Sequence, residues 1–422
     1  MKIFKFGGAS VNDAEAIKNV VNIIQNYKDE EVVIVVSAMG KSTNALEVLL
    51  NDFYKGEGDV IGKLEAIKKF HFSILEKLFP TEDHPVYEEV HNLFVEIEWQ
   101  LEDPPVGTFD FEYDQMVAMG ELLSSKIVAA YLNYCDQSSR WLDARDVIRT
   151  DNSYRKALVN WEVTQQLIDR KIKPIYANSE TKRIVTQGFI AATSENFNTT
   201  LGREGSDFTA AIFAYCLDAE EVVIWKDVEG MLNADPKSYK NTVKLNEISY
   251  LEAVELAYFG ASVIHPKTIK PLQNKGIPLK IKSFLNPLNK GTLISNNTAS
   301  DSLIPSFIHK ENQVLISIAA IDFDFIMETH LSDIYNLFSK NNVSINLMQN
   351  SAISFSVCVD FDENKFNFLM EELKKKFKVT FNENLTLITV RHYSDELLHE
   401  LITDKKVYLE QKTRNTARFV VQ

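Results

Sequence analysis

Short β-branched runs alternate with helix-length amphipathic stretches from the start of the chain: Ile3 to Phe6, then Ala14 to Tyr27, then Val32 to Ser37, then Ala45 to Tyr54. Strands spaced by helices of that length are joined by crossover connections, which imposes a mostly parallel sheet. Further strands are expected at Pro174 to Tyr176, Arg183 to Thr186, Val222 to Trp225 and Pro278 to Ile281, with helices at Gln115 to Leu132 and Phe208 to Leu217. The expected architecture is a three-layer α/β domain. From Gly56 to Asp114 the pattern turns charged, aromatic-rich and helical, and is read as an insertion over one face.

Glycine marks a second kind of domain. All 15 glycines lie between Gly7 and Gly291, and glycine collects where backbone must turn sharply or approach a ligand. The chemistry is therefore expected in the first part. A polar cluster from Ser295 to Ser302 ahead of Pro305 reads as a linker, so we expect a catalytic domain over 1–298 and a linker over 299–310. Beyond it the order is strand (Val314 to Ala319), helix (Leu331 to Ser339), strands (Val343 to Met348 and Ile353 to Val359), helix (Asn364 to Lys376) and strand (Val379 to Asn382). That βαββαβ order is ferredoxin-like. A second round starts at Leu385 to Val390, continues with a helix at Asp395 to Ile402 and strands at Val407 to Glu410 and Ala417 to Val421, and stops before its last helix and strand. The expected units are 311–383 and a shortened 384–422.

Acidic residues outnumber basic ones by 59 to 45, a net charge of −14, so the molecule as a whole repels nucleic acid and anionic lipid. No apolar run approaches the length of a membrane span, and the N-terminus enters strand-like sequence without a signal-peptide core, so a cytoplasmic location is expected. Cys135, Cys216 and Cys358 are too far apart for a CxxC or zinc pattern and read as buried small hydrophobes.

Several loops carry residues suited to anion chemistry. Lys5-Phe-Gly-Gly-Ala-Ser10 follows the first strand, and reads equally as a phosphate cradle of backbone N–H groups with a lysine or as a tight turn. Met39-Gly-Lys-Ser-Thr43 is not a Walker loop, because Val35 stands where that motif needs glycine. Ser37, Thr43 and Asn44 still sit where open α/β sheets place ligands, with helix N-capping as the plainer reading. The loop through Arg203, Ser206 and Asp207 into a helix offers a guanidinium fork, amide donors and an acceptor, and the last two suit capping as well. Glu121 lies among apolar residues of a helical pattern, where most glutamates face water. Lys226, Asp227 and Lys237 lie in a strand end and irregular loop able to meet a polyphosphate. His265 reads as a structural core residue, with Pro266 opening a helix.

Taken together, KFGGASV, VVSAMGKSTN, GELLSSK, WLDARDVIRTD, TQGFI, TTLGREGSDFTA, WKDVEGMLNADPK and FGASVIHP follow the order and spacing of the aspartate kinases. The chain resembles that family to about residue 295, and its tail resembles the ACT domains that follow. The resemblance implies the amino-acid-kinase fold and transfer of the γ-phosphoryl group of MgATP to the β-carboxylate of L-aspartate, the first step toward lysine, threonine and methionine. By motif, Lys5 would neutralise the transferring group and Gly7, Gly8 and Ala9 would cradle phosphate oxygens. Asp207 would orient Lys5 and the metal-bound phosphates, with Mg2+ held mainly by ATP rather than by the protein. Ser37, Thr43, Glu121, Arg203 and Ser206 would bind aspartate, Glu121 through its ammonium and Arg203 through a carboxylate.

The nucleotide side departs from the family pattern. Relatives often carry Thr where Lys226 stands, Tyr at Leu232, Arg at Lys237 and Lys at Ser262, so Lys226 is expected to compensate for the missing lysine at 262. The resemblance further implies an end-product effector, lysine or threonine, at Asn346, Asn350 and Ser351, and a homodimer or higher homo-oligomer. The segment from Asn346 to Ala352 has no acidic residue to pair an ε-ammonium. The rival reading is an amino-acid sensor with a decayed kinase domain.

Overall fold

The computed structural model describes residues 1–178, 181–261, 264–321 and 324–422. Its chain divides into two compact units, the first comprising Met1–Met231, Lys244–Val254 and Val263–Thr298, the second Leu232–Val243, Glu255–Ser262 and Ala299–Gln422.

The elements of the first unit run β1 (Lys2–Phe6), α1 (Ala14–Gln25), β2 (Val32–Val36), α2 (Ser42–Lys55), α3 (Val60–Leu78), α4 (Val86–Gln100) and α5 (Phe109–Tyr134). There follow β3 (Arg140–Leu142), α6 (Trp161–Lys171), α7 (Lys173–Asn178), β4 (Arg183–Gln187), β5 (Ile190–Ala192), β6 (Asn198–Thr200), α8 (Gly205–Leu217) and β7 (Glu221–Lys226). Then come β8 (Glu247–Ser249), α9 (Tyr250–Phe259), whose second half belongs to the other unit, α10 (Pro266–Lys275), β9 (Leu279–Ser283) and β10 (Thr292–Ser295). Eight strands form one sheet in the order β3-β4-β2-β1-β7-β9-β10-β8. All neighbours are parallel except β9 and β10. Every residue of β2 is buried, so both faces of the sheet are covered, as parallel sheets require.

Register decides where the loops open. Phe6 pairs with Val36 and Trp225, and Val36 pairs with Gln187, so β1, β2, β4 and β7 end side by side. Their following loops therefore crowd one edge, the place where open α/β sheets bind ligands.

The segment from 174 to 176 is helical, not a strand. Pro174 sits in the first turn of α7, where proline is well tolerated, Ile175 is buried, and the Tyr176 hydroxyl donates to the Val32 carbonyl at 3.0 Å. His265 is not a core residue: its Nδ1 accepts from the Lys267 amide at 3.1 Å, capping α10 ahead of Pro266. Cys216 and Cys358 are buried and desolvation pushes both thiols up to about 12, whereas Cys135, at the end of α5, is only half-buried.

In the second unit the elements are β11 (Ser306–Ala319), α11 (Glu328–Lys340), β12 (Ile345–Asn350), β13 (Ser354–Asp360), α12 (Glu363–Lys374), β14 (Lys378–Arg391), α13 (Asp395–Ile402), β15 (Val407–Lys412) and β16 (Thr416–Val421). They make one antiparallel sheet, β12-β13-β11-β14-β16-β15. The strands expected at 379–382 and 385–390 are one strand, and β11 begins within the stretch expected to be linker. The first half of β11 pairs with the second half of β14, Ser306 with Arg391, with register shifts between Lys310 and Leu315. The strand missing from the second ferredoxin-like round is thus supplied by residues that precede the first round.

Candidate functional site

The loops on the crowded edge enclose a cleft of about 930 Å³ lined by Lys5, Gly8, Ser37, Thr43, Glu121, Arg203, Ser206, Asp207 and Lys226 among others. Its floor is an ion cluster. Phe4 and Phe6 of β1 are fully buried in the core, and between them Lys5 extends its stem through apolar surroundings to place Nζ 2.8 Å from Asp207 Oδ1. Lys226, the last residue of β7, reaches the other carboxylate oxygen at 3.5 Å. Burial alone would raise the Asp207 carboxyl, but the Lys5 and Lys226 ammoniums outweigh it and hold the group below the ordinary carboxylate range. Asp207 stays ionised at neutral pH, leaving two lysines clustered round one charge with positive potential to spare for an anion.

Glu121 is the second buried charge-bearing group. It does not face solvent: α5 runs beside the sheet and carries it inward, 3% exposed, with Oε1 accepting from the Ala38 amide at 3.4 Å. No described residue donates to Oε2. Desolvation raises its carboxyl to about 8, against the smaller opposing effects of Ala38, Thr43 and Lys5. Two hydroxyls of the same helix fix its depth and direction. Ser124 donates to the Ser37 carbonyl at 2.7 Å, and Ser125 accepts from Gln187 Nε2 at 2.7 Å.

Gly8 and Ala9 open a short 3-10 turn, Gly8–Val11, so its first backbone N–H groups are available for an anion. Glycine at position 8 also has a packing cause. A Cβ there would stand 2.8 Å from the Ala38 carbonyl and 2.9 Å from that of Gly40, while the Gly40 amide donates to the Gly8 carbonyl at 3.0 Å. The two loops meet through bare backbone. Gly7 precedes the turn in extended conformation, and neither it nor exposed Ala9 lines the cleft.

Neither Thr43 nor the pair Ser206 and Asp207 caps its helix. Thr43 lies inside the first turn of α2, whose N-cap is Lys41, and turns its side chain to Glu121. Ser206 and Asp207 lie inside the first turn of α8, whose N-cap is Glu204 in left-handed conformation. Both helices start two or three residues earlier than capping by these side chains requires, which frees them for the cleft. Arg203 is exposed at the rim.

Asp227 is exposed and does not line the cleft. Lys237 belongs to the second unit, where it is exposed and its amide donates to Asp235 Oδ1 at 2.9 Å. Ser262 lies outside the described residues. In the second unit Asn346 is fully engaged, accepting from Lys310 Nζ at 2.9 Å and donating to buried Gln313 and to Asp360 at 2.9 and 3.0 Å. Asn350 is exposed, and Ser351 turns back onto Ser354.

Sequence reasoning missed one wall of the cleft: Asp110, Tyr113, Tyr154, Arg155 and Lys156. Buried Asp114 builds it, accepting from the amides of Arg155 and Thr200 and the Thr200 hydroxyl at 2.7 to 2.9 Å, with burial lifting its carboxyl to about 6. The Arg155 guanidinium lies 4.1 Å from the Tyr113 ring centre and pairs with Glu47 and Asp110 at 3.2 and 3.5 Å. The start of α5 after Gly107 and Thr108 marks Asp110 and Tyr113, but no glycine or motif announces Tyr154 to Lys156. The one available signal there was the Arg155-Lys156 pair in an otherwise polar turn.

The amino acid kinase family model matches residues 1–283. Lysine-sensitive aspartokinase 3 of Escherichia coli (strain K12) is 31% identical over 396 residues, 92% of this chain and 86% of that protein. This chain belongs to the amino acid kinase family, among the aspartokinases. Chloroplastic aspartokinase 1 of Arabidopsis thaliana is 30% identical over 405 residues, 92% of this chain and 70% of that one. Among solved structures, E. coli aspartokinase III with lysine and aspartate in its T-state matches with a TM-score of 0.83 at 27% identity, covering 100% of this chain and 96% of that one. The same enzyme with aspartate and ADP in its R-state matches at 0.82 with the same coverage. This aspartokinase-family chain thus shares its architecture with relatives through both units. Among the described residues, no helix is long and apolar enough to cross a membrane.

Proposed function

We propose that this chain is an aspartate kinase, transferring the γ-phosphoryl group of MgATP to the β-carboxylate of L-aspartate to give 4-phospho-L-aspartate. The observation that carries the reading is Asp207 buried between Lys5 and Lys226 in the same cleft as Glu121. Phosphoryl transfer asks little covalent chemistry of a protein and much positioning and charge neutralisation. Lys5 neutralises the transferring group, Lys226 the phosphates behind it, and Asp207 keeps both ammoniums in place. Gly8, which lines the cleft, presents backbone to phosphate oxygens, with Mg2+ entering on the nucleotide.

Aspartate is held at the other side. Glu121 takes its ammonium, Arg203 its α-carboxylate, and Ser37, Thr43 and Ser206 orient it. The attacking carboxylate is ionised at neutral pH, with a reference pKa of about 3.9, so no general base is needed. On this reading the catalytic domain spans 1–298 and the remainder regulates, binding an amino-acid effector such as lysine or threonine in a cytoplasmic homodimer. Lys226 inside the ion cluster favours the enzyme over the sensor.

Turnover of MgATP by the purified chain with L-aspartate, L-glutamate or no acceptor tests the proposal. Aspartate-dependent ADP formation is expected; turnover indifferent to the acceptor would refute it. Light scattering checks the dimer, and an inhibition panel of lysine, threonine and methionine checks the effector.

A further inference from the structure

Ten residues other than glycine adopt positive φ among the described residues, and seven of them are Asn, Asp or His, which tolerate that region best. The remaining three are Arg155 (φ 64), Phe189 (φ 68) and Glu204 (φ 52), and all three line the one cleft. Backbone strain of this kind persists where the surroundings enforce it, and clusters where side chains serve a ligand. Glycine would sit at position 204 without strain. A glutamate there needs a reason.

The carboxylate supplies one. Glu204 Oε2 is shut off from water and no described residue donates a hydrogen bond to it. A buried carboxylate oxygen without a donor is costly, whereas one that meets a cation is not. Of the cations lining the cleft, Arg155 is held by Glu47 and Asp110 and Lys5 and Lys226 by Asp207, and neither these three nor Arg203 nor Lys156 donates to Glu204 Oε2. Glu121, which lines the same cleft, also carries a buried oxygen with no described donor.

We propose that Glu204 is a substrate-binding residue that accepts a cation carried in by a substrate. Resting on the kinase reading, two sources share that chemistry: the α-ammonium of the amino-acid acceptor and the Mg2+ of the nucleotide. Glu204 is the N-cap of α8, three residues before Asp207, and lines the same cleft as Asp207 and Glu121. Its ligand relieves both the unpaired oxygen and the reason for holding a glutamate in left-handed conformation.

The test uses the full chain with Glu204→Gly, which suits the backbone and so guards against misfolding, and Glu204→Gln, which keeps the shape without the charge. The melting temperature of Glu204→Gly should equal or exceed that of the parent. Loss of a charge-assisted hydrogen bond should raise one apparent constant by roughly tenfold. A rise in the KM for aspartate at saturating Mg2+ assigns the ammonium; a rise in half-saturating Mg2+ at saturating aspartate assigns the metal. Both constants within about twofold of the parent, with the melting temperature raised, would overturn the inference and leave the kinase reading intact. A parent chain with no aspartate-dependent turnover would sink the kinase reading instead.

Discussion

Lys5 Nζ and Asp207 Oδ1 stand 2.8 Å apart with both side chains nearly closed to solvent, joining the first strand of the sheet to the first turn of α8. Removing either partner leaves the other charge buried and uncompensated, which costs more than the net worth of the pair. Lys5→Ala should lower kcat by about 10² to 10³-fold, the loss seen when a preorganised electrostatic group is deleted, with a smaller change in the KM for aspartate. Because the two lysines depress the Asp207 carboxyl, its stabilising contribution is present at neutral pH and is lost as acid carries the pH through the depressed value. Thermal melts of the parent and Asp207→Asn across the acid range should converge at the acid end.

Glu121 behaves in the opposite sense. Burial favours its protonated form, so before ligand arrives the carboxyl titrates at about 8, and binding an ammonium there must drive the proton off. The KM for aspartate should fall as the pH rises from neutrality through about 8, and calorimetry in buffers of different ionisation enthalpy should record proton release. Glu121→Gln should weaken aspartate binding and remove that pH dependence. It should also relieve the stability that the parent loses as the pH rises from the ordinary carboxylate range, where the unfolded chain's carboxyl ionises, to about 8.

Lys226→Ala should raise the KM for ATP well beyond that for aspartate, since the side chain approaches Asp207 from the end of β7 rather than from the acceptor wall. Equal and small changes in both constants would show that Lys226 serves only its carboxylate partner.

Gly8→Ala drives a methyl group into two backbone carbonyls that cannot rotate away. A loss of about 1–3 kcal/mol is expected from overpacking of this kind, measured by denaturant unfolding, together with reduced turnover because the loops after β1 and β2 lose their contact.

Asn346→Ala should lower the stability of the parent by about 1–3 kcal/mol, because it strips hydrogen bonds from fully buried Gln313 and from Lys310. The same denaturation experiment, repeated with Gln313→Leu, should show less than additive losses, since the two residues share one network.

The α/β rhythm was legible because strands of the central sheet are short, apolar and spaced by helices, and β2 needs no context to be read. The loops were legible for a different reason: their small residues and lysine stand out against apolar flanks. What escaped was set by distance in the chain. Glu121 was named as a candidate, but its burial follows only once the neighbours of α5 enclose it, and the wall through Tyr113 and Arg155 exists only because Asp114 gathers residues from 155 and 200. The segment at Pro174 has strand-like composition, yet no edge of the sheet remains for it beside β2 and β4. Asn312 and Asn384, both with positive φ, punctuate β11 and β14 in a way that reads as strand ends, although pairing continues past them.

That continuity makes the first ferredoxin-like repeat an insertion within the second rather than its predecessor. The chain lays down one strand of the outer repeat, builds the whole inner repeat, and returns to finish what it began. Pairing of Ser306 with Arg391 has to wait for everything between them, a long-range closure that slows folding. Truncation after the inner repeat would therefore not excise a module; it would strip the partner from the residues at 306–310 and leave a raw strand edge open to aggregation.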